Sequence, residues 1–144
     1  MNLRGGAVCC VIVWLGCLGS PVEGQTAPQP QSRSTMLVTD AKNIVTEITE
    51  YAIQEGASKE PGKIFSAERG NWEVTFDLDQ IAQIAVTRKK GETSRCSLVI
   101  KLLRGEVTGA EKMAYSGSTW LKGRTKSGDP YSTLLCDAKI VSFK

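Results

Sequence analysis

The chain of 144 residues contains no histidine. That absence removes Ser-His and Cys-His nucleophile activation, the commonest general base near neutral pH, and nearly all zinc sites of ordinary ligand type. No glycine-rich phosphate loop follows a strand, because the 14 glycines are scattered through turns. No apolar run reaches the roughly 20 residues that a helix needs to span a bilayer. Neither sign of charge dominates: 18 basic against 15 acidic residues give a net +3, too mild a balance to imply nucleic acid. These gaps leave carboxylate chemistry or plain binding, with no cofactor expected.

Cysteine is scarce outside the amino terminus. Residues 1–6 carry one positive charge and residues 7–18 an apolar run of about a dozen, the profile of a signal segment. Val22 and Gly24 supply the small side chains that a signal peptidase accepts, which places the cut after Gly24 and starts the mature chain at Gln25. A rival cut before Cys17 would acylate that residue and bring the domain to a membrane through lipid. Either way Cys96 and Cys136 remain, an even number in an oxidising compartment, both in strand-like runs with apolar neighbours. The expectation is one disulfide between them, closing a loop of about 40 residues and contributing roughly 3 to 4 kcal/mol on the chain-entropy model. Such a bond would set the strand holding Cys96 beside, or facing, the strand holding Cys136.

Residues 25–38, rich in proline and glutamine, read as a flexible leader. From 39 to 55 the spacing of Ala41, Ile44, Val45, Ile48, Tyr51 and Ala52 fits one face of an amphipathic helix, with Thr39 or Asp40 as cap and Gly56 as stop. Residues 72–103 then alternate apolar and polar with the period of a strand. Trp72, Val74, Phe76 and Leu78 form the inward face, and the stretch from 72 to 88 reads as one bent strand. A second strand over 94–103, two short ones on either side of Ser116 to Ser118, and a terminal strand over 131–143 complete the pattern. The fold class expected for 39–144 is a single α+β domain: one amphipathic amino-terminal helix packed on an antiparallel β-meander of four to six strands.

That helix-then-meander order resembles the cystatin-type architecture over residues 39–144. The inhibitors of that family use a Gln-x-Val-x-Gly hairpin. Gln80, Ile81, Ala82, Gln83 and Ile84 lack its glycine, and Trp120 follows Thr119 rather than a proline, so the resemblance implies a fold and no inhibitory site.

For chemistry, Asp77 and Asp79 are the leading pair, on one strand face about 7 Å apart, with Glu111 and Asp137 elsewhere. For contact, Trp120 and Tyr115 sit in or beside glycine-rich segments, and basic residues cluster at two turns: Arg88, Lys89 and Lys90 with Arg95, then Lys122, Arg124 and Lys126. Together these readings point to a secreted or periplasmic, non-catalytic module that binds a protein partner: an inhibitor, an immunity-type protein or an envelope accessory factor. The alternatives are a small carboxylate-dependent hydrolase and a lipid-anchored structural protein of the envelope. Nucleic acid is not expected as a partner, and membrane contact is expected only through an acylated Cys17.

Overall fold

Period-two alternation extends much further along the chain than the expected meander. The computed structural model describes residues 33–113 and 119–144, and these form ten strands with no α-helix. They are β1 (Thr35–Asp40), β2 (Val45–Glu55), β3 (Ile64–Arg69), β4 (Trp72–Asp77), β5 (Ile81–Thr87), β6 (Arg95–Leu102), β7 (Val107–Met113), β8 (Thr119–Thr125), β9 (Pro130–Leu134) and β10 (Ala138–Phe143). Short 3-10 turns at Leu78–Gln80 and Leu135–Asp137 precede β5 and β10. The expected α+β class is therefore wrong, and the cystatin-type architecture falls with it. The first 32 residues, Cys17 and Tyr115 lie outside the described residues.

All ten strands belong to one antiparallel sheet in the order β4-β3-β7-β6-β5-β10-β1-β2-β8-β9. The sheet curls, because Ile53 near the end of β2 and Gly62 just before β3 exchange both backbone hydrogen bonds, at 2.7 and 2.8 Å. Curling encloses a single core built from alternate residues of almost every strand, with Met36, Ile48, Phe65, Ile84, Ile100, Leu121 and Val141 at 0% exposure. Full burial of an aliphatic side chain of this size contributes about 1.5 to 3 kcal/mol.

The predicted helix is replaced by the end of β1, a turn, and β2. Within β2 the ladder to β8 shifts register between Thr49 and Ala52, and Glu50 takes a positive φ of 49°. An extra residue in a strand turns i, i+2 spacing into i, i+3. Ile48 and Tyr51 thus both face the core from a bulged strand, and their spacing imitates a helix. Ala41, Ile44 and Val45, the other half of the supposed apolar stripe, are exposed. Thr35 to Val38, placed in the leader on sequence grounds, form the first part of β1.

The stretch from 72 to 88 is two strands rather than one. Asp77 accepts a hydrogen bond from the Asp79 amide at 2.9 Å and caps the turn that separates β4, at one end of the sheet, from β5 in its middle. The carboxyl-terminal run is likewise split into β9 and β10.

Cys96 and Cys136 are bonded, with Cα atoms 5.6 Å apart. The strand order built on that bond differs from expectation. Cys96 lies on β6, but Cys136 lies in the turn before β10, and β5 separates β6 from β10. The turn packs against β5 and β8, burying Leu135 and Cys136, so the bond ties this turn, not an adjacent strand, to β6.

Candidate functional site

Backbone parity in the β3–β4 hairpin positions the site. Arg69 and Trp72 flank a two-residue turn in which Gly70 alone has a positive φ, 61°, as a type II′ hairpin requires at its first central position. Leu78 donates its amide to the Lys63 carbonyl at 2.8 Å, which makes that pair a hydrogen-bonded one. Alternation then makes Phe65–Phe76, Ala67–Val74 and Arg69–Trp72 hydrogen-bonded pairs as well. The amides and carbonyls of Ser66 and Glu68 on β3 consequently point toward β7, and those of Glu73 and Thr75 on β4, with the Asp77 amide, point away from the sheet.

On the β7 side of β3, side chains replace a strand. Only Glu68 pairs with β7, opposite Glu111. Ser66 donates its amide to Glu55 Oε1 at 2.8 Å, and its carbonyl accepts from Lys112 Nζ. Lys112 and Glu55 pair with each other at 2.6 Å, their side chains only 15% and 19% exposed. Burying an unpartnered strand edge is costly, and this ion pair satisfies both groups of Ser66 where β2 and β7 converge.

A groove of about 750 Å³ opens beside this seam, with Trp72, Asn71, Glu73, Arg95 and Thr119 in its walls. Trp72 is 78% exposed. Thr119 is 2% exposed, and its Oγ1 has no hydrogen-bond partner among the described residues. Glu73, Glu68 and Glu111 stand directly opposite one another across β4, β3 and β7, a like-charge row that disfavours pairing. Arg95 bridges Glu68 at 3.1 Å and Glu111 at 3.3 Å, leaving Glu73 without an ion pair among the described residues.

The residues singled out from sequence are dispersed by the fold. Trp120, expected as a contact, is half-buried on β8 opposite Gln54 and Leu134. Trp72, expected in the core, is the exposed one, because the sheet ends at the hairpin before the inward face reaches it. Arg88 donates to the Cys136 carbonyl at 3.0 Å and pairs with Asp137 at 2.6 Å. Arg124 pairs with Glu50 at 3.2 Å. Lys89, Lys90 and Lys126 are exposed, and β10, β1 and β2 separate the strands that carry the two basic turns. They form no single basic patch.

Asp77 and Asp79 are brought together, with Tyr51 and Lys63 nearby. Lys63 sits 3.4 Å from the centroid of the Tyr51 ring and donates to the Tyr51 carbonyl at 2.8 Å. Burial lowers the Lys63 pKa, while Asp79 and Asp77 oppose that shift. Burial and Asp79 raise the Tyr51 phenol, whose hydroxyl donates to the Arg33 carbonyl at 3.1 Å. Asp77 serves this cluster as a cap. No group of three or more acidic or thiol side chains is placed to hold a metal among the described residues.

No protein family, curated protein or solved structure matches the chain.

Proposed function

We propose that this protein is an exported, non-catalytic module that binds a protein partner through the tip of its β3–β4 hairpin and the adjoining groove. One observation carries the reading: Trp72, a residue type that dominates binding hot spots, stands 78% exposed at the rim of a polar groove. Burying its ring against a partner would remove the largest exposed aromatic surface in the described chain.

Export is supported by the signal-like residues 1–24 and by the disulfide, which suits an oxidising compartment. Among the described residues no helix is long and apolar enough to cross a membrane. The mass of the mature amino terminus tests this part: a start at Gln25 supports it, and an acylated Cys17 replaces it with the lipid-anchored alternative.

A photo-crosslinking residue at Asn71, compared with one at Ser132 on the far edge of the sheet, tests the binding surface. In the native extracellular or envelope fraction a discrete adduct should form from position 71 only. Equal labelling from both positions, or none from either, contradicts the reading.

A further inference from the structure

β4 is an end strand whose free side keeps backbone donors and acceptors that another strand can use. Its six residues pair with β3 without a register shift, and no described strand pairs with its other side. By alternation, the amides of Glu73, Thr75 and Asp77 and the carbonyls of Glu73 and Thr75 face that side, while the Asp77 carbonyl opens the 3-10 turn that follows. β4 contains no proline, no lysine and no bulge, the usual devices that stop a sheet edge from recruiting a new strand.

Charge restricts which strand can join. If a second copy of β4 added antiparallel about Thr75, Glu73 of each copy would stand opposite Asp77 of the other, a repulsive pairing on both sides. Glu73 also already faces Glu68 across β3, and Arg95 serves Glu68 and Glu111 rather than Glu73. A cation opposite Glu73 would offset that local repulsion.

We propose that the β4 edge binds an extended, basic peptide segment by strand addition, with Lys or Arg opposite Glu73 and Asp77 and a small polar residue opposite Thr75. The backbone ladder holds the segment, and the two carboxylates select its sequence. This extends the contact from the hairpin tip proposed above along the free side of the same hairpin, names the partner chemistry there, and rests on that reading. Residues between the two cations project to the other face, the one that carries Trp72 and Val74, and an apolar side chain there can cover the indole.

The test uses the whole protein and a synthetic peptide in which lysine, valine, threonine, valine and lysine follow one another, with affinity measured by calorimetry. Thr75→Pro removes an outward amide without touching the β3 ladder and should weaken binding roughly tenfold or more. Glu73→Lys should weaken it by roughly tenfold and should favour a peptide carrying glutamate in place of the facing lysine. Asp77 is left unchanged because it caps the turn. Failure of the peptide to bind, or binding unaffected by both Thr75→Pro and Glu73→Lys, overturns the proposal. Binding lost in Trp72→Ala but unchanged in Thr75→Pro also overturns strand addition, while leaving the hairpin tip as the contact surface.

Discussion

β4 and β9 occupy opposite ends of the sheet order, and the contrast between them shows which edge is guarded. On β9 the amide of Thr125 bonds the Asp129 carbonyl at 2.9 Å; by alternation Pro130, Ser132 and Leu134 carry the outward backbone groups. Proline has no amide, so the first outward donor is missing. The hairpin before it is further fixed by Ser127 donating to Asp129 at 2.6 Å and by the Asp129 amide donating to Thr125 at 3.1 Å. β4 keeps all three outward amides and adds carboxylates that repel a copy of itself. One edge lacks its first donor whatever strand approaches, and the other discriminates by charge.

Removing the disulfide should have the largest effect, because it acts on the stability of the whole sheet rather than on one edge. Replacing Cys96 and Cys136 by serine restores a free loop of about 40 residues to the unfolded chain and should cost about 4 kcal/mol in urea unfolding. A loss under about 1 kcal/mol would mean that the turn before β10 holds without its bond. Gly123→Ala acts on the guarded side. Its Cβ would lie 2.4 Å from Ile48 Cγ2 and 2.7 Å from the Thr49 carbonyl oxygen, where β8 crosses the β2 bulge, so about 3 kcal/mol of destabilisation is expected from thermal melts. Peptide affinity at β4, measured below the melting transition, should survive.

Lys112→Met tests the selective side. It leaves the Glu55 carboxylate without its cation and the Ser66 carbonyl without its donor, and should cost about 2 kcal/mol, with faster amide exchange in β3 and β4 than in β8. Uniform destabilisation would show that the seam does not specifically hold the β3–β4 hairpin. Pro130→Thr should change stability by less than about 0.5 kcal/mol while adding the missing donor to β9. Its expected signature is weak self-association in light scattering, and a strictly unchanged profile would deny proline its guarding role.

The smallest effect belongs to a cluster on neither edge. Because burial depresses the Lys63 pKa below its ordinary 10.5, the unfolded chain binds more protons just below that pH, and stability rises as pH climbs through the window. Tyr51, raised above 10.0, acts oppositely: the unfolded chain loses its proton first, and stability falls as pH exceeds 10.0. Lys63→Met removes only the first contribution. Its stability should therefore decline more steeply than wild type near pH 10, and parallel curves would show that Lys63 carries no such linkage.

How far the sequence disclosed these features depended on whether period two was interrupted. The runs in β4 and β6 were legible because Val74, Phe76, Leu98 and Ile100 alternate cleanly, and the disulfide followed from cysteine parity and the compartment that a signal-like amino terminus leads one to expect. The bulge at Glu50 concealed β2. A signal existed in its β-branched content, Val45, Thr46, Ile48, Thr49 and Ile53, which suits a strand better than a helix. Trp72 was misplaced because alternation gives a residue's face but not where the sheet stops; its position next to Gly70 and Asn71 was the available clue. The Glu55–Lys112 seam joins residues 57 positions apart, and no local pattern marks it. Edge status was equally hidden, since strand order emerges only when the sheet curls.

Amide exchange by NMR tests the central claim most directly, because it reads the β4 edge residue by residue. In the free protein the amides of Glu73, Thr75 and Asp77 should exchange quickly while those of Val74 and Phe76, directed at β3, exchange slowly. Saturating lysine-bearing peptide should slow the three outward amides by roughly tenfold or more and leave Ser132 and Leu134 on β9 unchanged. Bound peptide with the three outward amides still at their free rates would contradict strand addition at β4.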